Sequence, residues 1–190
     1  MNMLNEAEKK ILDGCKAGKR YFQGLLYQQY SRSLFAVCLR YSGNHASAED
    51  LLQDSFVKIF KNIGDFRAEG SLEGWMKRIV VNTALTEIRK KSIILVYTGF
   101  DAVTDVADED ASESSIELRV APEHAKKLMT FIQNLPAGYK HVFNLYVFED
   151  YTHKEIADAL GISVNTSKSQ LAKARKFLQK QLADNNLINY

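Results

Sequence analysis

The chain is poor in the residues that interrupt or staple a fold: among 190 residues it has two prolines, Pro122 and Pro136, two cysteines, Cys15 and Cys38, and a single tryptophan, Trp75. Neither proline falls inside a stretch of helical periodicity, so nothing forbids long helices and the expected fold class is all-α. The cysteines lack metal-ligand spacing and give no disulfide framework, which fits a reducing cytoplasm. No apolar run approaches the roughly 20 residues needed to cross a bilayer, and the polar N-terminus has no signal-peptide core, which disfavours secretion and membrane insertion. Four histidines are scattered without recognised spacing. His45, Glu49 and Asp50, or His141 with His153, could be named as ligands of a hydrolytic metal, but neither set has the pattern such sites need. No cofactor, metal or catalytic residue is expected.

A further absence is local. No Asp or Glu occurs between Asp158 and Asp184, whereas Lys168, Lys173, Arg175, Lys176 and Lys180 do. Just before this run, Thr152 followed three residues later by Glu155 has the form of a capping box opening a short helix. Gly161 supplies the positive φ that closes it, and Ser163 can cap a longer second helix. Two capped helices joined by so short a turn have the sequence form of a helix-turn-helix, whose second helix normally enters the major groove. At roughly 100° per residue, Val164, Ser167, Leu171, Ala174 and Leu178 fall on its packing side. Asn165, Thr166, Ser169, Lys173 and Lys176 fall on the other. A basic, hydroxyl-rich face suits a polyanion, because lysines release counterions and small polar side chains approach base edges.

The net charge of +2 hides an uneven distribution: residues 1–92 carry +5, residues 93–122 carry −6 and residues 123–190 carry +3. This pattern divides the chain into an N-terminal helical domain (1–92), an acidic linker (93–122) and a C-terminal helix-turn-helix domain (123–190). In the first, helices are expected at Glu6 to Lys16, Tyr21 to Tyr41, Ala48 to Ile63 with a cap from Ser47 and Asp50, and Ser71 to about Lys91. Gly64 to Gly70 reads as a loop carrying Phe66, an aromatic that either plugs a local core or meets a ligand. The helix after it mixes Trp75 with Lys77, Arg78, Arg89, Lys90 and Lys91, and aromatics beside basic residues are the raw material of single-stranded DNA binding. Asp101 to Glu117 has seven acids and no base, a linker composition. In the last domain two further helices, around Leu128 to Leu135 and Val142 to Phe148, precede the helix-turn-helix.

Three segments together resemble the bacterial RNA polymerase sigma factors of the small extracytoplasmic-function group. Ala48 to Lys58, Ala-Glu-Asp-Leu-Leu-Gln-Asp-Ser-Phe-Val-Lys, resembles that group's polymerase-binding helix. Phe66-Arg67 through Trp75 to Val81-Asn82-Thr83-Ala84 resembles its promoter-melting segment. Leu135-Pro136 with Tyr151 to Leu178 resembles its reader of the upstream promoter element. The resemblance covers about Tyr21 to Leu182, with departures at Ser167, Gln170 and Thr86, where the family usually has valine, arginine and aspartate. It implies that Asp50, Gln53, Asp54 and Lys58 dock on core RNA polymerase. It implies that Phe66, Arg67, Ser71, Trp75, Lys77, Arg78, Asn82 and Thr83 open and hold the downstream promoter element. For the upstream element, Lys168, Ser169, Gln170, Ala172 and Lys173 match the family's DNA-facing positions, and the helical face adds Asn165, Thr166 and Lys176. The implied partners are core RNA polymerase, promoter DNA as duplex and single strand, and an anti-sigma factor. The acidic linker would thread near the polymerase active-site cleft.

The main alternative is a conventional helix-turn-helix regulator that binds a duplex operator. It explains Thr152 to Lys180 equally well and leaves the aromatic, basic stretch from Phe66 to Lys91 without a role. A purely helical adaptor would not need an acid-free recognition helix.

Overall fold

The structure is a computed structural model that describes residues 4–97, 125–185 and 187. Every element among them is helical, as expected. In chain order these are α1 (Glu6–Lys16), α2 (Arg20–Tyr41), α3 (His45–Asn62), a 3-10 turn (Ile63–Asp65), α4 (Leu72–Tyr97), α5 (Ala125–Gln133), α6 (Ala137–Phe148), α7 (His153–Leu160) and α8 (Val164–Asp184). Packing divides the chain into two compact units, Met1–Glu87 and Ile88–Tyr190, with the break inside α4. Several element bounds differ from the sequence reading, those of α3 and α4 among them. Asn44 takes the amide of Ser47 at 2.8 Å and starts α3 at His45, ahead of the cap expected from Ser47 and Asp50. Helix α4 continues past Lys91 to Tyr97, because the apolar run that follows carries no residue that breaks a helix. The expected acidic linker otherwise lies outside the described residues.

The core of the first unit joins α1 to α4 around Leu26, Leu34, Ile59, Met76 and Val80, all inaccessible to solvent. Each large side chain buried this way contributes about 1.5–3 kcal/mol relative to exposure. Helix α1 is fixed at its start by a reciprocal capping box between Asn5 and Glu8. The second carboxylate oxygen of Glu8 accepts the Tyr30 hydroxyl at 2.7 Å, so one acid both closes α1 and ties it to α2. Burial first, and the Glu8 contact second, hold the Tyr30 phenol well above its ordinary pKa. Cys15 and Cys38 are also buried, and desolvation raises both thiols, that of Cys38 to about 12.

In the second unit α8 packs against α5, α6 and α7, burying Leu171, Ala174, Leu178 and Leu182. Val164, placed on the packing side by helical periodicity, is exposed. It is the first residue of α8, ahead of the turn that meets the neighbouring helices.

Among the described glycines the tightest approach is at Gly14, where a Cβ would lie 2.1 and 2.2 Å from ring atoms of Phe22. The Phe22 Cβ is itself 2.7 Å away, so no rotamer of the ring relieves the conflict and α1 has to shift against α2. Gly14→Ala is expected to cost about 1–3 kcal/mol, read as a lower urea midpoint. A midpoint equal to that of the parent would mean that the α1–α2 contact is looser than its geometry.

Candidate nucleic-acid interface

In the first unit the polypeptide between α3 and α4 builds a walled cavity. The 3-10 turn ends with the Phe66 N–H on the Ile63 carbonyl at 3.4 Å, and the Phe66 ring turns inward to 5% exposure. It meets Trp75 of α4 with ring centroids 5.5 Å apart and planes at 51°. Of the two readings open for Phe66, the structure bears out the first, a ring that plugs a local core; the same residue also lines an open cavity of about 450 Å³. Arg67, Ser71, Trp75 and Arg78 line the same cavity, with Asp65 and Glu69 beside them. Ser71 accepts the Gly74 amide at 3.0 Å, holding the first turn of α4 at the cavity edge. Ala68 has φ of 58°, a left-handed conformation costing a non-glycine residue roughly 1–2 kcal/mol.

Five of the eight residues assigned to this element by resemblance therefore converge on one cavity: Phe66, Arg67, Ser71, Trp75 and Arg78. The other three do not. Lys77 is ion-paired with Glu73 at 2.9 Å, and that pair holds the Glu73 carboxyl below the usual range. Asn82 is exposed. Thr83 is 2% exposed, its hydroxyl donating to the Ile79 carbonyl at 2.7 Å and accepting from Lys58 Nζ at 3.2 Å. That geometry gives Thr83 a structural bond between α4 and α3 and leaves it no face for DNA. The contribution of Asp65 and Glu69 was not legible, because acids in a loop otherwise read as plain solvation.

On α3, Asp50, Gln53 and Asp54 are exposed on one surface, while exposed Lys58 directs its amine to Thr83. Beside them an open cavity of about 300 Å³ is lined by Tyr27, Arg32, Phe35, His45, Glu49 and Gln53. The sequence reading missed the α2 half of this surface. Tyr27, packed on Phe56 with ring centroids 4.7 Å apart, is still 43% exposed.

The second unit contains the expected helix-turn-helix. The Thr152 amide and hydroxyl both donate to Glu155 Oε2, at 2.8 and 2.7 Å, and the Glu155 amide returns to the hydroxyl at 3.3 Å. Gly161 closes α7 with φ of 70°. Ser163 caps α8 by accepting the Thr166 amide at 2.9 Å, with its hydroxyl 2.8 Å from that of Thr166. The two helices are bridged by His153 Nδ1 and Ser167 Oγ at 2.9 Å. His153 stacks on Tyr146 at 4.8 Å, and Arg175 lies 5.7 Å from the same ring.

Of the residues assigned to the recognition surface, Asn165, Lys168 and Lys176 are exposed, and Thr166, Gln170, Ala172 and Lys173 are half-buried. Ser169 corrects the helical wheel. It is 7% exposed and donates to the Thr166 carbonyl at 3.1 Å, because α8 is enclosed by neighbours over more than one stripe. Gln170 lies against Gly138 of α6, where a Cβ would come within 3.1 to 3.3 Å of its amide.

This is the fold of an all-helical DNA-binding protein with a helix-turn-helix. Residues 26–93 match the family Sigma-70 region 2, and residues 125–178 match Sigma-70, region 4. The chain is 28% identical over 184 residues to the ECF RNA polymerase sigma factor SigW of Bacillus subtilis, covering 93% of this chain and 97% of the relative. With the RNA polymerase sigma-H factor of Pseudomonas aeruginosa it shares 24% over 191 residues, covering 95% and 96%. The crystallised sigma factor RpoE in complex with the anti-sigma factor NepR, from Bartonella quintana, aligns at a TM-score of 0.48 and 22% identity, over 84% of this chain and 96% of that one. The chain belongs to the sigma-70 family, in its extracytoplasmic-function (ECF) group.

The Thr152–Glu155 box makes the start of α7 sensitive to acid. The Thr152 backbone N–H, and then its hydroxyl, hold the Glu155 carboxyl below its ordinary 4.5. A lowered carboxyl stabilises the fold above its unfolded pKa, and that contribution is lost as pH falls through the folded value. Amide exchange in the first turn of α7 is therefore expected to accelerate relative to α8 below pH 4.5. Glu155→Gln should flatten that dependence, and an unchanged profile would count against the box.

Proposed function

We infer that this chain binds core RNA polymerase and directs promoter-specific transcription initiation, gripping promoter DNA at two places. The observation that carries this reading is the pairing, in one chain of the sigma-70 family, of a capped helix-turn-helix with an aromatic cavity edged by two arginines and two acids. Helix α8 takes the duplex. Asn165 and Thr166 at its N-terminal end approach base edges, while Lys168, Lys173 and Lys176 supply phosphate contacts. Gln170 and Ala172 flank that surface. The cavity between Phe66 and Trp75 takes an unstacked base, with Arg67 and Arg78 on the backbone beside it and Asn82 further along α4. Extruding a base costs a few kcal/mol of stacking, which a shaped pocket and backbone contacts offset. Asp65 and Glu69 can accept from exocyclic amines and thereby give the pocket a preference among bases.

Residues 1–92 thus serve polymerase binding and melting, and residues 123–190 serve upstream recognition. Asp50, Gln53 and Asp54 dock on the polymerase. Lys58 acts mainly through its bond to Thr83, which aligns α3 with the melting helix. The protein breaks no covalent bond; polymerase performs the chemistry. Its place of action is the cytoplasm, and among the described residues no helix is long and apolar enough to cross a membrane. An anti-sigma factor covering the exposed surfaces of α3 or α8 would hold it inactive.

Reconstituted transcription with core polymerase and genome-wide mapping of start sites tests the whole reading. Trp75→Ala is expected to lower initiation from duplex promoters by about tenfold, the loss of roughly one stacked base. Lys168→Glu with Lys173→Glu should abolish upstream-element footprinting by the holoenzyme. A chain that bound a duplex operator tightly alone, and never joined polymerase, would be a conventional regulator instead.

A further inference from the structure

Helix α1 precedes the segment matched to Sigma-70 region 2. It nevertheless touches the segment that walls the candidate cavity. Lys16, its last residue, donates from Nζ to the carbonyl oxygen of Phe66 at 3.2 Å. That carbonyl belongs to the residue whose ring walls the cavity, and it opens the stretch that runs through Arg67 to Ala68. The two peptide groups flanking Phe66 are thus both tied: its N–H closes onto Ile63, and its carbonyl is held from α1. Ala68, two residues on, keeps its left-handed backbone only while its surroundings fix it. Lys16 is the side chain from outside the 63–71 segment that bonds directly to the backbone of this stretch among the described hydrogen bonds.

We propose that Lys16 is a positioning residue for base capture. Through the Phe66 carbonyl it sets the course of residues 66–70, so that the cavity is shaped before DNA arrives and less of the binding energy is spent ordering it. Helix α1 thereby becomes part of the promoter-opening apparatus. The proposal rests on the reading of the Phe66–Trp75 cavity as the base site. The competing role is ordinary: a lysine at a helix C-terminus favours the helix dipole wherever it points. That role would affect folding, and it would not distinguish a closed template from an open one.

The test uses the full chain, assembled with core polymerase, on the promoter that gives the strongest start site with the parent protein. Run-off transcription is measured on the fully paired duplex and on the same sequence carrying a mismatched bubble from the downstream element to the start site. Lys16→Met, which keeps the stem and removes the donor, is expected to lower initiation on the duplex by about tenfold. On the bubble the loss should shrink to within about twofold, since opening no longer has to be driven. Lys16→Arg keeps a cationic donor and should recover most of the duplex activity. Equal losses on both templates would overturn the proposal by placing the effect in folding or polymerase binding. Full duplex activity of Lys16→Met, with Trp75→Ala still impaired, would overturn it while leaving the cavity reading intact. Full activity of both variants would remove the cavity reading and this proposal together.

Discussion

A chain built almost wholly of helices must satisfy the open N–H and C=O groups at every helix end, four at each terminus. This constraint decides where the turns fall and where polar side chains gather. Asn5, Asn44, Ser71, Thr152 and Ser163 each accept an amide from the turn that follows. The candidate functional surfaces lie at these same ends. Ser71 caps the helix that walls the cavity, and Ser163 caps the helix offered to duplex DNA. A capped helix start leaves its remaining amides aimed at whatever anion approaches, which suits a protein whose ligand is a phosphate chain.

Position along the chain was easier to read than depth within the fold. Helix α1 falls between the residues expected from its pattern, and the helix-turn-helix follows its capping residues closely, because caps are local chemistry written in adjacent positions. Ser169 and Thr83 show where that legibility ends. Both are small hydroxyl residues that turn back to a carbonyl one helical turn earlier, which lets a nominally polar position be buried without an open hydrogen bond. A helical wheel assigns sides from polarity and has no means of seeing that exchange. The cavity was half legible. Phe66 and Trp75 stood out as aromatics near basic residues, but their 5.5 Å contact depends on a tight turn and a left-handed alanine that no periodicity announces.

The recognition unit carries a polar joint of its own. His153 and Ser167 bond across the turn between α7 and α8, and the Tyr146 ring of α6 stacks on His153 and lies within reach of Arg175. A valine at position 167 would pack without asking anything of position 153. The serine instead adds a directional bond to the apolar packing between the two helices. The departures that set this chain apart in its recognition helix are thus partly internal: Ser167 faces α7, and Gln170 lies along Gly138.

The burial of the two cysteines has a consequence for their reactivity. A thiol whose pKa has been pushed to about 12 is ionised at neutral pH in roughly one molecule in 10⁵, and the thiolate is the form that oxidants attack. Cys38 is buried at that value, and Cys15 is buried in the same unit with its own thiol shifted in the same direction. Neither buried thiol is thus poised as a nucleophile while the chain stays folded.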